Sequence, residues 1–360
     1  PYLYDLLTPA LILDWPIAQQ NIERAASFVE NKQVRLRPHF KNHKRVALAH
    51  KQLAAGGCAG MTAATIFEAI ALVDGGIEDI LIANQVVNAT SINLLIELAK
   101  RANLRVAIDN IENAKAMAEV AKIHGLEIGV LIEVDIGMGR CGIAPGEAVV
   151  NLAKQISLLE GIRFDGLQAY EGHAVGILDT DERESVAISS MQKAINTKKQ
   201  LEIAGHECRI ISGAGTGSFR ATGKLEDVSE LQIGSYVTMD WSYKERIGDQ
   251  FDVALTVLAN VISVSENNLV LNAGCKSIGH EMGPPKLRDY PLAEIPTFGS
   301  EEHTTVNFPG HKFKVGDFIH MIPSHCCMTC SLHQDMLVFE GERIIDIWPC
   351  LLYTSPSPRD

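Results

Sequence analysis

The segment RLRPHFKNHKRV, residues 35–46, concentrates arginine, lysine and histidine in a chain whose net charge is −12. Lys41 follows the first predicted strand of the chain, with His39, His43 and Lys44 close by in sequence. Like charges around a lysine favour its neutral amine, which is the form that makes a Schiff base with a carbonyl compound. The alternative is a solvated basic loop, because runs of charge usually face water.

A glycine-rich turn, SGAGTGSF from Ser212, follows the seventh predicted strand. Backbone N–H groups in such a turn can bind a phosphate, especially where the turn opens a helix. A lysine that reacts with an aldehyde and a turn that holds a phosphate are the two groups that pyridoxal phosphate needs. The sequence therefore indicates pyridoxal phosphate as the cofactor.

Arg140 lies among glycines in the segment EVDIGMGRCG, which ends the fifth predicted strand. An arginine just past a strand end can hydrogen-bond an oxygen of a cofactor. The alternative is an ordinary turn with a solvated arginine.

His325 and Cys327 lie two residues apart in PSHCCMTC. On a strand, residues two apart point to the same side. An imidazole and a thiolate suit zinc, and two protein ligands leave positions open for water or substrate. The same residues also fit a Cys-x-x-Cys pair with Cys330, or a buried strand that simply carries small cysteines.

The elements that must position these motifs are short apolar runs alternating with helical patterns. The runs begin near residues 34, 59, 79, 105, 127, 164, 209 and 230. Eight β-α units predict an α/β fold of the (β/α)8 barrel type, whose catalytic face is the carboxyl end of the strands; an open doubly wound sheet is the alternative. From Phe251 onward, alternating runs separated by turn residues predict an all-β domain. We place the barrel at 9–245, the β domain at 1–8 and 246–349, and a non-native tail at 350–360.

The composition excludes several classes of function. With a net charge of −12, the chain lacks the basic footprint that nucleic-acid binding needs. No run of eighteen apolar residues predicts a membrane span. Eight scattered cysteines in 360 residues favour a reduced, cytosolic setting over a disulfide scaffold.

These motifs together resemble the D-threonine aldolase and D-serine dehydratase family, whose members carry pyridoxal phosphate on an alanine-racemase-like barrel. The resemblance runs from TPALILD at Thr8 to IIDIWP at Ile344. RPHFKNHK is similar to the family motif whose first lysine holds the cofactor, which implies Lys41. GMGRCG is similar to the segment whose arginine contacts the phenolic oxygen of the cofactor, which implies Arg140.

The resemblance also implies the remaining residues of the site. QAYEGH places Tyr170 and His173 near the cofactor ring and the substrate, and we take Lys41 and His173 as the catalytic residues. The rest are a phosphate cup, a second phosphate loop, a group facing the pyridine nitrogen and a metal pair: Gly215, Thr216 and Gly217; Gly234, Ser235 and Tyr236; Gln232; and His325 with Cys327.

The sequence departs from the family pattern at three places. Ala214 replaces a glycine, which is tolerated if its φ is negative. Asn272 stands where aspartate is commoner, and GHAVGI after Glu171 departs from the usual continuation. The last departure predicts altered contacts with the substrate.

The resemblance implies a lyase that acts on β-hydroxy-D-amino acids with the help of a divalent metal. The family's dehydratases have a His-x-Cys metal motif, whereas many of its aldolases have His-x-Asp, so Cys327 favours a dehydratase with zinc over an aldolase with manganese or magnesium. An amino-acid racemase and a non-catalytic pyridoxal phosphate carrier would also use such a barrel. We expect a cytosolic homodimer whose partner is its small-molecule substrate.

Overall fold

A computed structural model describes residues 2–350 of the chain. Pro1 and residues 351–360, which include nearly all of the tail that we interpret as non-native, lie outside this description. The described residues form two compact units. We call residues 25–41 and 49–234 the barrel unit, and residues 2–24, 42–48 and 235–350 the β unit.

Strands and helices follow one another along the described chain as follows. The strands are β1 (Ala10–Asp14), β2 (Arg35–Leu36), β3 (Met61–Ala63), β4 (Asp79–Ile82), β5 (Asn103–Ile108), β6 (Ile128–Val134), β7 (Ile162–Ala169), β8 (Ile210–Gly213), β9 (Glu230–Leu231), β10 (Leu255–Val264), β11 (Asn268–Leu271), β12 (Lys286–Leu287), β13 (Thr304–Asn307), β14 (Phe318–Ile322), β15 (Asp335–Glu340) and β16 (Arg343–Pro349). The helices are α1 (Trp15–Val29), α2 (Val46–Ala54), α3 (Ile66–Asp74), α4 (Ala89–Ala99), α5 (Ile111–Ile123), α6 (Glu147–Ile156), α7 (Thr180–Ile203), α8 (Phe219–Thr222), α9 (Trp241–Ile247) and α10 (Cys326–Ser331).

The barrel unit contains a parallel sheet of eight strands in the order β2-β9-β8-β7-β6-β5-β4-β3. Isolated parallel bridges between Leu36 and Cys58 and between His39 and Thr62 connect the two ends of this order, so the sheet closes on itself. Every residue of β6 is buried, as expected for a strand covered on both faces. The predicted (β/α)8 barrel is confirmed, and each of the eight predicted runs overlaps a barrel strand.

Helix α5 illustrates how the local sequence builds one β-α unit. The Asn110 side chain caps the helix by accepting hydrogen bonds from the N–H groups of Glu112 and Asn113. The helix ends just before Gly125, whose φ of 66° is left-handed. Its buried face recurs at three- and four-residue spacing, which is the period of a helix packed on one side: Ala114, Met117, Ala118 and Ala121.

The amino-terminal ends of the barrel strands carry buried ion pairs. Arg37 is 1% exposed and donates to both carboxylate oxygens of Glu230 at 2.7 Å and to Asp79 at 2.6 Å. Because Glu230 begins β9 and Asp79 begins β4, this one guanidinium links distant parts of the barrel wall. Catalytic residues in such barrels lie at the carboxyl ends of the strands, which is the opposite end, so we assign Arg37 a role in stabilising the fold.

The β unit contains a sheet in the order β12-β14-β10-β1-β15-β16, with β11 pairing to β10 and β13. Strand β1 pairs antiparallel with β10 and parallel with β15. Residues 10–14, which the sequence assigned to the barrel, thus pair with strands more than 240 residues further along the chain, and local pattern does not reveal such partners. Within residues 2–350, no helix is long and apolar enough to cross a membrane.

Candidate active site

Lys41 lies in a 3-10 turn, Phe40–Asn42, which follows the first barrel strand. The N–H of His39 donates to the carbonyl of Ile233 at 2.9 Å and so ties this segment to the chain just after β9. Lys41 itself is exposed, whereas Phe40 before it is fully buried. The turn therefore anchors its backbone in the barrel and leaves the amine accessible at the carboxyl end of the strand.

The cations around Lys41 in sequence have partners of their own. In the barrel unit, Arg37 is held by Glu230 and Asp79. In the β unit, Lys44 donates to the Ser331 hydroxyl at 2.9 Å, and Arg45 donates to the carbonyl of Cys330 at 3.0 Å. Much of the charge in RLRPHFKNHKRV thus stabilises the fold.

The glycine-rich turn after β8 is held in a tight and partly strained conformation. Ala214 has a φ of 65°, so the condition under which alanine would replace glycine without strain, a negative φ, is not met. A left-handed alanine costs about 1–2 kcal/mol, and its N–H is held by the Glu171 carboxylate at 3.2 Å. The N–H of Gly215 donates to the Ser218 hydroxyl at 3.1 Å, which closes the turn ahead of α8.

Two glycines of this turn lie where a side chain would be crowded by its neighbours. A Cβ on Gly215 would lie 3.2 Å from the Tyr170 hydroxyl, and a Cβ on Gly217 would lie 2.8 Å from Val175. Thr216 between them is 2% exposed. A concave turn of this kind fits a phosphate group. Val175 belongs to the departing GHAVGI segment, so that departure reshapes the wall of the cup.

Glu171 is a residue of the site that sequence reasoning missed. It is completely buried, and it accepts hydrogen bonds from the N–H of Ala214 and the hydroxyl of Thr222. Burial raises the pKa of this carboxyl, and its hydrogen bonds only partly oppose that effect. The available signal was an acidic residue directly after an apolar strand, between Tyr170 and His173.

Arg140 lies at the carboxyl end of β6, where Glu133 and Tyr170 are its neighbours. Its guanidinium is 3.9 Å from Glu133 and 5.9 Å from the centre of the Tyr170 ring. Burial raises the pKa of Glu133, although a hydrogen bond from Gln85 at 2.6 Å opposes the shift. Arg140 remains about half exposed, so its donors can reach a ligand oxygen.

Gln232 and His173 have contacts within the barrel unit that orient them. The amide nitrogen of Gln232 lies 3.0 Å from the Ser212 hydroxyl and 3.4 Å from the Gln168 oxygen. The Nε2 atom of His173 lies 3.1 Å from the Ser190 hydroxyl on α7. The His173 ring also lies so close to Gly137 that a Cβ there would meet it at 2.7 Å. These contacts support His173 against the loop that carries Arg140.

The second predicted phosphate loop crosses from one unit to the other. Gly234 ends the barrel unit, and Ser235 and Tyr236 begin the β unit in the 3-10 turn Ser235–Val237. Tyr236 is completely buried and packs on the Phe251 ring at 5.5 Å. Ser235 has its hydroxyl 3.8 Å from the Cys327 sulfur.

The metal motif lies at the start of a helix, so the strand on which we placed it is wrong. His325 is the extended N-cap residue of α10, and Cys327 is the second residue of that helix. The local sequence, with three cysteines and small polar residues, fits a strand and a helix equally well. The N–H of Cys326, at the start of the helix, donates to the Asp240 carboxylate at 2.9 Å. The side chains of His325 and Cys327 nevertheless hydrogen-bond each other, and their role as a metal pair stays a prediction.

The surroundings of the pair favour a thiolate. A hydrogen bond from the Cys326 thiol, together with His325, holds the pKa of the Cys327 thiol well below its usual range. Burial alone would lower the pKa of His325, but Cys327 and Glu281 raise it to about 9. Glu281 accepts from the Nδ1 atom of His325, which fixes the ring as a carboxylate does behind many metal-ligating histidines.

The donor set fits a divalent cation with open coordination positions. A thiolate and an imidazole suit zinc. In the described part of the chain, no group of three or more histidine, cysteine, aspartate or glutamate side chains is arranged around a metal position. A site with two protein ligands leaves positions open for water or substrate.

Comparison with known proteins places the chain among lyases. It is 35% identical to a D-threonine aldolase from Arthrobacter over 95% of this chain and 91% of that protein. It is 26% identical to a D-threo-3-hydroxyaspartate dehydratase from Delftia over 96% of this chain and 97% of that protein. The crystal structure of a D-threonine aldolase from Filomicrobium marinum has a TM-score of 0.93 and 35% identity, covering 97% of this chain and 96% of that one.

Two family descriptions divide the chain much as the fold does. Residues 16–241 match "Alanine racemase, N-terminal domain", and residues 254–339 match "Putative serine dehydratase domain". An eight-stranded parallel barrel followed by such a sheet domain defines the alanine-racemase-like class of pyridoxal phosphate proteins. Within that class, the chain belongs to the D-threonine aldolase and D-serine dehydratase family of pyridoxal-phosphate-dependent lyases.

Proposed function

We propose that this chain is a lyase of β-hydroxy-D-amino acids in which Lys41 holds pyridoxal phosphate and the pair His325 and Cys327 holds a divalent cation. The observation that carries the proposal lies in the barrel unit. An accessible lysine follows its first strand, and a glycine-walled turn follows its seventh. These positions supply an amine and a phosphate-binding turn at the carboxyl ends of barrel strands.

The remaining residues of the site take the roles that the family resemblance implies. Arg140 would hydrogen-bond the phenolic oxygen of the cofactor, Tyr170 would border its ring, and Gln232 would face its pyridine nitrogen. The phosphate would be held by two loops: Gly215, Thr216 and Gly217; and Gly234, Ser235 and Tyr236. When bound, pyridoxal phosphate supplies an electron sink for negative charge at the Cα of the substrate.

We assign proton transfer to Lys41 and His173. The Nε2 atom of His173 has Ser190 as its partner, so Nδ1 is the nitrogen that would accept the proton of the β-hydroxyl group. The cation held by His325 and Cys327 would bind the β-oxygen and stabilise negative charge on it as a Lewis acid. We propose zinc, because a thiolate prefers a borderline ion, and manganese or magnesium would take its place if the thiolate does not bind.

The reaction we propose is retro-aldol cleavage of the Cα–Cβ bond, which gives glycine and an aldehyde. Its support is the 35% identity to two D-threonine aldolases, against 26% to the dehydratase. The second candidate is elimination of the β-hydroxyl group, which gives an oxo acid and ammonia. Cys327 favours that reaction, because the His-x-Cys motif resembles the dehydratases.

The proposal includes a cytosolic homodimer, as expected from the sequence.

The test of the proposed reaction is to incubate the cofactor-loaded protein with D-threonine, D-serine and D-threo-3-hydroxyaspartate and to identify the products. Glycine and an aldehyde support cleavage, whereas oxo acid and ammonia support elimination. Inverted substrate would identify a racemase, and absence of turnover would identify a carrier; either result overturns the proposal.

A further inference from the structure

Glu171 lies two positions after the end of β7, in a loop that contains both buried and exposed residues. It is completely buried, while His173, two residues later, is exposed. Its φ and ψ of −92° and 41° turn the chain into the 3-10 turn Gly172–Gly176. Its side chain is thereby directed into the segment 214–222 that follows β8.

The carboxyl group of Glu171 connects both ends of that segment. One oxygen accepts from the N–H of Ala214 at 3.2 Å, and the other accepts from the Thr222 hydroxyl at 2.5 Å. The Ser218 hydroxyl also hydrogen-bonds to it. Ala214 opens the glycine-rich turn, and Thr222 ends α8, so a single side chain spans the whole phosphate-binding segment.

The bond to Ala214 falls at the strained position of the turn. Ala214 adopts a left-handed φ of 65°, which favours glycine over alanine. The preceding residue, Gly213, has no space for a side chain that could make such a contact, because a Cβ there would lie 2.0 Å from the Ala169 carbonyl oxygen. The Glu171 carboxyl is thus the side-chain contact that holds Ala214 in this conformation.

We propose that Glu171 is a positioning residue that keeps the turn at residues 214–217 in its phosphate-binding shape and compensates for alanine at position 214. The inference rests on the proposed function, since the turn is a phosphate site only if the chain binds pyridoxal phosphate. Burial keeps the carboxyl group closer to neutrality, which reduces repulsion of a bound phosphate.

The test compares the affinity of the apoprotein for pyridoxal phosphate with its affinity for pyridoxal, which lacks the phosphate. Glu171→Ala should weaken pyridoxal phosphate binding by roughly tenfold or more, equivalent to about 1.4 kcal/mol. Binding of pyridoxal should change by less than about twofold, because the aldehyde and ring contacts remain. Glu171→Gln retains an acceptor for Ala214 and a donor for Thr222, so it should bind pyridoxal phosphate within about threefold of the wild type.

A second substitution identifies the strained residue as the target of Glu171. Glycine adopts the left-handed conformation readily, so Ala214→Gly should restore most of the pyridoxal phosphate affinity that Glu171→Ala loses. Glu68→Ala is the matched control. Glu68 is also a buried carboxyl that accepts a backbone N–H, from Ala64 at 2.6 Å, but it lies on α3 away from the turn. This variant should melt at a lower temperature and keep its pyridoxal phosphate affinity.

The outcomes separate this inference from the proposed function. If the wild-type apoprotein binds no pyridoxal phosphate, the proposed function fails. The inference is overturned if the wild type binds the cofactor and Glu171→Ala binds it equally well. It is also overturned if Glu171→Ala loses affinity for pyridoxal by the same factor as for pyridoxal phosphate. If Glu171→Ala does not fold, Glu171→Asp replaces it: this shorter carboxylate cannot connect both ends of the turn, so equal affinity in Glu171→Asp would contradict the inference.

Discussion

The Asp240 carboxylate accepts a hydrogen bond from the N–H of Cys326 at 2.9 Å and, through its other oxygen, from the N–H of Tyr243 at 2.8 Å. It is the N-cap of α9 and at the same time anchors the first residue of α10. The metal motif thus takes its position from a residue about 85 positions earlier in the chain. Sequence reasoning gave Asp240 no role.

Asp240→Ala should therefore weaken both folding and metal binding. We expect the free energy of unfolding to fall by roughly 1–3 kcal/mol, because the buried N–H of Cys326 and the half-buried N–H of Tyr243 lose their acceptor. Zinc affinity should fall by about tenfold or more, as for other groups that orient metal ligands. Urea unfolding and zinc titration measure the two effects. Asp249→Asn, at a position that is 98% exposed, is the control and should leave both nearly unchanged.

Borohydride reduction should attach the cofactor to Lys41. Peptide mapping of the reduced protein locates the modified lysine, and the expected peptide contains Lys41 and not Lys44, whose amine is held by Ser331. Lys41→Ala should lower turnover by orders of magnitude, because the nucleophilic amine is lost. Lys44→Ala should still be modified at Lys41. Modification of Lys44 in the wild type would show that the roles within this motif are assigned wrongly.

Gly217→Val should weaken binding of pyridoxal phosphate. The new side chain would meet Val175, since even a Cβ would lie 2.8 Å from it. We expect an affinity loss of roughly tenfold, which corresponds to an overpacking cost of 1–3 kcal/mol. Gly176→Ala is the control, because a Cβ there has no neighbour within 4 Å. Combining Gly217→Val with Val175→Ala should recover part of the loss; no recovery would show that the side chain displaces the phosphate instead.

Asp165 should make the free energy of unfolding decrease as the pH falls into the acid range. Burial alone would raise the pKa of Asp165, but its hydrogen bond to Arg163 and the charges of Arg105 and Arg209 hold the pKa below its ordinary value. A depressed folded-state pKa stabilises the protein above the unfolded pKa of about 3.9, and this stabilisation is lost as the pH falls below it. Unfolding free energies between pH 5 and 2.5 should therefore decline less steeply in Asp165→Asn. An equal slope would contradict the assignment.

The sequence predicted what depends on local pattern. The barrel strands are nearly continuous apolar runs, and Lys41 follows one of them, so its place at a strand end could be predicted. The pairing of β1 with β10 and β15 could not, because it depends on partners far along the chain. The left-handed φ of Ala214 could not be predicted either, because the Glu171 carboxyl that accepts from its N–H belongs to another loop.

The metal motif shows the same limit. The side chains of His325 and Cys327 hydrogen-bond each other, although the motif lies at the start of a helix and not on the predicted strand. A two-residue spacing matches the period of a strand. The helix is favoured by Asp240, which accepts a hydrogen bond from the N–H of Cys326 at the first position of α10. The periodicity of a sequence does not reveal a hydrogen bond between the backbone and a residue far along the chain.

The most direct test of the proposed function is the turnover of D-threonine by the cofactor-loaded protein before chelation, after chelation, and after a divalent ion is returned. We predict that glycine and acetaldehyde form at equal rates before chelation, and that the chelator abolishes both while the visible absorbance of the bound cofactor persists. Zinc should restore the rate best in the wild type, and His325→Ala should not recover. Full turnover by the chelated protein would contradict the metal role of His325 and Cys327, and oxo acid with ammonia in place of glycine would contradict carbon–carbon cleavage.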